Sequence, residues 1–282
     1  MAWFAWSLFA LGLLLQCPAV ATAGQASRSA VGQTVELDGM SLYFEETGQG
    51  DPLVLLHGHG GCSSDWEPFA DVLAARFRVV MPHMRGHGQS TNPGGAFTHR
   101  QSASDMFALL DRLGIDRFRA IGISSGGMTL LHMATRQPER IEAMVLVGAA
   151  DHFPEQARKL TRRAAEHGPT GSELDYYGRC ATRGDQQVRE LAAQFAGFSR
   201  SFDDVDFPAP LLATIQARTL IVHGDRDEFF PVEIPLTMYA AIPDSALWIV
   251  PRGPHVPIFG QREREFLDVV LPFLQEAEPQ PR

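Results

Sequence analysis

Lysine is all but missing from this chain: Lys159 is the only one in 282 residues, and arginine supplies every other fixed positive charge. The formal net charge is -9, so no basic surplus exists to hold a phosphate backbone, and nucleic acid is not an expected partner. Cysteine is nearly as scarce. Cys17, Cys62 and Cys180 are far apart and form no closely spaced framework, so Cys62 and Cys180 read as two unpaired small apolar residues. Long apolar runs are absent too, apart from the first residues.

That first run, "MAWFAWSLFALGLLL", is uncharged and about fifteen residues long, short of the ~20 that span a bilayer but suited to a signal-peptide core. Ala21 and Ala23 give a small-x-small pattern, so residues 1–23 are read as a leader cleaved after Ala23, and the protein as exported to the periplasm or medium. Two features oppose this: no Lys or Arg precedes the run, and Cys17 raises lipidation, although Gln16 before it is too bulky for the usual lipoprotein signal. An uncleaved membrane anchor is the alternative. Export would leave Cys62 and Cys180 where they could pair.

The whole chain is 45% hydrophobic and 20% charged, the balance of a globular core, and α/β chains of this length often form one such core. "QTVELDGMSLYFEETGQG" alternates around Asp38-Gly39 and predicts a hairpin. "PLVLLHG" (52–58), "FRVVMP" (77–82), "FRAIGI" (118–123), "IEAMVLVGAA" (141–150), "RTLIVHG" (218–224) and "ALWIVP" (246–251) are short continuous apolar runs, as strands buried on both faces should be. Between them lie helical patterns. Ser64 to Glu67 has capping-box spacing for a helix to about Arg76, and others fall near 102–113, 126–137 and 263–274. Alternating strands and helices predict a mostly parallel sheet covered on both faces, with ligands beyond the carboxyl ends of the strands.

Residues 151–216 break the alternation and contain no apolar strand, so they predict a helical cap inserted between core segments 24–150 and 217–282. The cap aromatics Phe153, Tyr176, Tyr177, Phe195, Phe198, Phe202 and Phe207 either line a pocket or form the cap's own core. Its basic run Arg158, Lys159, Arg162 and Arg163 reads as a solvated helix face, with attraction of an anionic substrate as the alternative.

Between the strand at 118–123 and the helix after it stands "GISSGG" (122–127), which fits G-x-S-x-G. A strand that reverses into a helix this sharply has no room for a Cβ two residues either side of the serine. Ser124 has glycine at both positions, whereas Ser125 would be flanked by Ile123, so Ser124 is the candidate nucleophile. A hydroxyl needs a base, and a base needs an acid to orient it. His255 in "GPHVP" is the only histidine after His223 and lies in a loop, which makes it the candidate base. For the acid, Asp227 in "GDRDEFFP" reaches furthest, with Asp225 and Asp151 as alternatives. The tetrahedral oxyanion needs two N–H donors, expected from Ser125 and from His59 in "HGHGG" (57–61). His57 and His59 lack a third ligand cluster, so no metal and no cofactor is expected.

Together "HGHGG", "HMRGHGQS", "GISSGG", "GDRDEFFP" and "GPHVP" resemble the α/β-hydrolase superfamily, most closely its small capped esterase, perhydrolase and lactonase-like members. The resemblance runs from about Gln33 to Leu274 outside the cap and implies an eight-stranded, mostly parallel sheet flanked by helices, with the cap after the sixth strand. It also implies a Ser124–Asp227–His255 triad and an oxyanion hole from the N–H groups of His59 and Ser125. One departure is His83, which stands where the family's R-G-x-G-x-S turn usually begins with aspartate. The function expected is hydrolysis of carboxylic esters through an acyl-serine intermediate, on an apolar or aromatic small molecule and without a stable protein partner. Alternatives on the same residues are lactone opening, C–C bond hydrolysis and perhydrolysis; a non-catalytic ligand receptor is the reading from another class.

Overall fold

A computed structural model describes residues 30–37 and 39–276. The expected leader and Cys17 lie outside the described residues. Two antiparallel strands, β1 (Val31–Leu37) and β2 (Met40–Gly48), pair with Leu37 opposite Met40, the short connection that the Asp-Gly pattern predicts. Six further strands follow: β3 (Pro52–Leu56), β4 (Arg78–Pro82), β5 (Phe118–Ile123), β6 (Ile141–Val147), β7 (Arg218–Gly224) and β8 (Ser245–Val250). The sheet order is β1-β2-β4-β3-β5-β6-β7-β8; β2 meets β4 antiparallel, and every pair from β4 to β8 is parallel.

The apolar runs are continuous because each strand has a core on both faces. In β3, Leu53 and Leu55 enter one hydrophobic cluster while Val54 and Leu56 enter the other. In β6, Ala143, Val145 and Val147 alternate with Met144 and Leu146 in the same way. Each such leucine or valine, removed from water, stabilises the fold by about 1.5–3 kcal/mol. One face is covered by α1 (Glu67–Ala74) and α9 (Glu263–Gln275), through Phe69, Leu73, Phe266 and Val270. The other is covered by α2 (His99–Arg112), α3 (Ser125–Arg136) and, following the short α7 (Ala209–Leu212), α8 (Glu233–Ala241).

Between β6 and β7 the chain forms α4 (Glu155–His167), α5 (Gly171–Cys180) and α6 (Asp185–Gly197), with one isolated bridge, His152 to Asp206, and no named strand. This is the helical cap after the sixth strand. Because β3, β5, β7 and β8 all run parallel, the segments that follow them leave the same edge of the sheet, under those helices.

Four expectations need correction. Cys62 and Cys180 are joined as a disulfide, with Cα atoms 5.8 Å apart, because the turn after β3 and the end of α5 close against each other. No capping box forms at Ser64: residues Ser63–Trp66 make a 3-10 turn first, and α1 begins at Glu67 without a side-chain cap. The capping box is instead at Thr170 and Glu173, at the start of α5. Helix α2 starts at His99 rather than near 102, because Thr98 accepts the Gln101 N–H as its N-cap. Finally, the basic run is a free solvated face only in part: Lys159 and Arg163 are exposed, whereas the half-buried Arg158 donates to the Phe153 carbonyl at 3.0 Å and lies 3.9 Å over the ring of Phe202, and Arg162 pairs with Glu155.

Candidate active site

The turn from β5 into α3 is as tight as its glycines imply. A Cβ on Gly122 would lie 2.7 Å from the Gly126 backbone, and one on Gly126 would lie 2.2 Å from the Leu56 carbonyl oxygen. Between them Ser124 is forced to φ 50°, ψ -115°, a region that side-chain-bearing residues rarely enter. The Ser124 N–H donates to the Val147 carbonyl at 2.8 Å, so the elbow is pinned to the neighbouring strand.

His255 follows β8. A Cβ on Gly224 would lie 2.1 Å from the Pro254 carbonyl, so the bare backbone of Gly224 is what lets the His255 loop close over the end of β7. His255 Nε2 then stands 3.0 Å from Ser124 Oγ, and Nδ1 stands 2.8 Å from Asp227 Oδ2. The Asp227 carboxylate is buried, and its other oxygen accepts the N–H groups of Phe229 (2.7 Å) and Phe230 (3.0 Å). With Asp227 accepting at Nδ1, the neutral imidazole leaves Nε2 free to take a proton from Ser124. Asp225 is exposed, and Asp151 bonds His152 at 2.7 Å, so neither alternative acid reaches His255.

The turn after β3 crosses above the elbow: a Cβ on Gly58 would sit 3.6 Å from the Ser124 Cβ. Among the described residues, neither the His59 nor the Ser125 main-chain N–H donates to a carbonyl, and both residues line the same cavity as Ser124. The His59 ring is held away by donating from Nε2 to the Leu191 carbonyl at 2.9 Å, and burial lowers its pKa to about 4. His57 is structural: Nδ1 donates to the Gly58 carbonyl (2.7 Å), Nε2 accepts the Met84 N–H (3.0 Å), and burial lowers its pKa to about 3. His83 is equally satisfied. It accepts the Gln89 N–H at Nδ1 (3.0 Å), as a carboxylate could, and donates from Nε2 to Ser63 Oγ (2.9 Å), whose own hydroxyl goes to Glu45. Among the described residues no group of three or more His, Cys, Asp or Glu could hold a metal ion.

The cavity over Ser124 has a volume of about 630 Å³. Of the cap aromatics, Phe153, Tyr176, Tyr177, Phe195 and Phe198 line it, whereas Phe207 packs against His132 in the core and Phe202 is exposed. The charged residues on its wall are Asp65, Glu67, Glu173, Glu228 and a lone arginine, Arg179, which bonds Asp65 at 2.9 Å. Burial raises the Asp65 pKa, against the pull of that arginine.

The model of the family described as "alpha/beta hydrolase fold" matches residues 51–166. A 2-hydroxymuconate semialdehyde hydrolase from Pseudomonas sp. (strain CF600) is 30% identical over 281 residues, covering 88% of this chain and 95% of that one. Among solved structures, a meta-cleavage product hydrolase from Pseudomonas fluorescens IP01 superposes with a TM-score of 0.73 at 22% identity, covering 88% of this chain and 99% of its own. A thermophilic esterase from Thermogutta terrifontis superposes with a TM-score of 0.70 at 24% identity, covering 88% and 100%. The chain belongs to the α/β-hydrolase superfamily. It is a hydrolase, and its relatives act on small molecules.

Sequence reasoning missed two things here. The disulfide brings together residues 118 positions apart that no motif connects. The other is a contact of Ser125 with His99, whose partner Asp204 lies in the cap.

Proposed function

We propose that the protein hydrolyses acyl bonds of neutral, largely apolar small molecules through an acyl-serine intermediate, with carboxylic esters as the main substrate class. The carrying observation is the Ser124–His255–Asp227 line, with its 3.0 and 2.8 Å separations. His255 takes the Ser124 proton as Oγ attacks the carbonyl carbon, and Asp227 stabilises the imidazolium that forms. The oxyanion faces the N–H groups of His59 and Ser125, each donor being worth about 3 kcal/mol. His255 returns the proton to the departing alcohol, and a water, deprotonated by the same ring, releases the acid.

Charge supports neutral substrates. A carboxylate in this cavity would meet Asp65, Glu67, Glu173 and Glu228, and the lone arginine on the wall is already paired. Aromatic walls at Phe153, Phe195, Phe198 and Phe229 suit an apolar acyl group. C–C bond hydrolysis is the second reading, favoured by the 30% identity to a hydrolase whose named substrate, a muconate, is itself a carboxylate. The Cys62–Cys180 bond supports work in an oxidising compartment, in keeping with a leader at residues 1–23.

The test is a substrate panel: neutral p-nitrophenyl esters of increasing acyl length, lactones, and 2-hydroxymuconate semialdehyde, each with wild type and Ser124→Ala. Ester turnover abolished by the substitution supports the main reading. Turnover of the semialdehyde alone moves the assignment to C–C cleavage, and no turnover with no fluorophosphonate labelling of Ser124 ends both.

A further inference from the structure

The two adjacent serines of "GISSGG" each face a histidine backed by an aspartate. Behind Ser124 stand His255 and Asp227; behind Ser125 stand His99 and Asp204. Ser125 Oγ is 3.1 Å from His99 Nε2, and His99 Nδ1 is 2.7 Å from Asp204 Oδ2. The second line is far more deeply buried, with Ser125 2% and His99 0% exposed.

Its direction can be worked out from the acceptors. Asp204 Oδ2 also takes the His99 main-chain N–H (2.8 Å), and Oδ1 takes that of Arg100 (3.1 Å). Burial opposes the charge on this carboxylate, but the His99 hydrogen bond and the contacts beside it outweigh burial and bring its pKa to about 2. An ionised Asp204 accepts only, so His99 Nδ1 carries the proton. His99 Nε2, on the far side of the ring, is left to bond the Ser125 hydroxyl. The rings of Phe97, Phe153 and Phe198 surround His99.

We propose that Ser125–His99–Asp204 is a positioning relay that holds the Ser125 main-chain N–H on the oxyanion and ties it to the cap segment after α6. The proposal rests on the acyl-serine reading above. Anchoring of α2 alone explains why Asp204 binds the N–H groups of His99 and Arg100, but it gives no part to the Ser125 hydroxyl. A buried polar side chain at that point is costly unless bonded, and alanine would fill the first turn of α3 without it. The relay spans three separate elements: the elbow, the start of α2, and the stretch between Phe198, on the cavity wall, and the bridge at Asp206. A shift of that stretch therefore acts on an N–H that binds developing charge. Ser125 and His99 are positioning residues through their side chains, and neither displaces Ser124 or His255 in the chemistry.

Ser125→Ala deletes one oxygen and leaves the N–H, His99 and Asp204 in place. The measurements are kcat and KM on the ester turned over fastest, or on the semialdehyde if that alone reacts, together with the fluorophosphonate labelling rate of Ser124. Expected are a kcat about tenfold lower, KM within twofold, and a labelling rate reduced by the same factor as kcat. His99→Gln should do the same, and the double variant should be no slower than the slower single one, because both break one line. A Ser125→Ala kcat within twofold of wild type, a loss carried by KM, or independent multiplying effects in the double variant would overturn the relay. Wild-type protein that neither labels nor turns over any substrate overturns the acyl-serine reading, and the relay with it, whereas normal labelling unaffected by Ser125→Ala sinks the relay alone.

Discussion

Cys62, in the turn after β3, is covalently joined to Cys180, the last residue of α5, so one rim of the cavity is stitched from core to cap. The same turn carries His59, and the same helix carries Tyr176 and Tyr177, all on the cavity wall. The bond therefore constrains the position of an N–H donor and of two aromatic walls together.

Closing a loop of 118 residues removes about 5 kcal/mol of unfolded-chain entropy in the simplest model, and native disulfides typically deliver 2–5 kcal/mol. Reduction of the wild type should lower stability by an amount in that range. Cys62→Ser with Cys180→Ser should start at the lower value and ignore reductant. Urea melts with and without dithiothreitol read both.

Strain at the elbow gives a second expectation. Ser124 sits at φ 50° with a Cβ, at a cost of about 1–3 kcal/mol. Ser124→Gly should raise thermal stability by relieving part of that strain while abolishing turnover. Ser124→Ala should abolish turnover without the gain, since it keeps the Cβ. A calorimetric comparison of the two variants separates strain from chemistry, and a Ser124→Gly protein less stable than Ser124→Ala would mean that Ser124 carries no such strain.

Acid should unfold the protein through its buried imidazoles. Burial lowers His57 to about 3, and His59, His83 and His132 to about 4, from an ordinary 6.5; His87 is lowered too. Between pH 6.5 and 4 the unfolded chain binds protons that the folded chain refuses. Their contribution is complete above 6.5 and is lost as pH falls towards 4. Two such rings alone remove about 3 kcal/mol per pH unit in that window. Unfolding free energies at pH 7, 6 and 5 check the slope; a flat profile would mean that these rings accept protons in the fold.

An acidic cavity wall should disfavour an anionic substrate. Replacing Glu173 and Glu228 by glutamine should raise kcat/KM for an ester with a carboxylate-bearing acyl group by about 3–10-fold, as two like charges are removed. A neutral ester of the same length should change by less than twofold. Steady-state rates on the matched pair, at low and high salt, test this; the gain should shrink as salt screens it.

How much of this was readable in advance varied by element. Strands β5 and β7 begin and end where their predicted runs do, because both faces of each are buried over most of their length; the charged residues Arg119 and Arg218 stand at or near the starts, each paired with a carboxylate. Ser124, Asp227 and His255 could be picked out by position, since each lies in a loop just after a strand and the strands are parallel. Local pattern failed where a distant partner decided the outcome. Ser64 and Glu67 have the spacing of a cap, but the neighbouring Cys62 is drawn to Cys180 and Ser63 to Glu45 and His83. Helix α8 was not anticipated, since its apolar residues, among them the exposed Leu236 and Tyr239, do not keep to one face. Ser125, His99 and Asp204 lie at separations of 26 and 105 residues, and nothing in their local sequence advertises the meeting.

Asp227 is gripped on one oxygen by the peptide groups of Phe229 and Phe230, not by their rings, although those rings lie 4.7 and 5.4 Å from His255 and line the cavity. Main chain holds the acid; side chains shape the room. Under the proposed chemistry, the half-buried Phe229 can thus be changed in size and polarity while the anchor of Asp227 stays put, which makes it the natural handle for anyone wishing to teach this enzyme a different substrate.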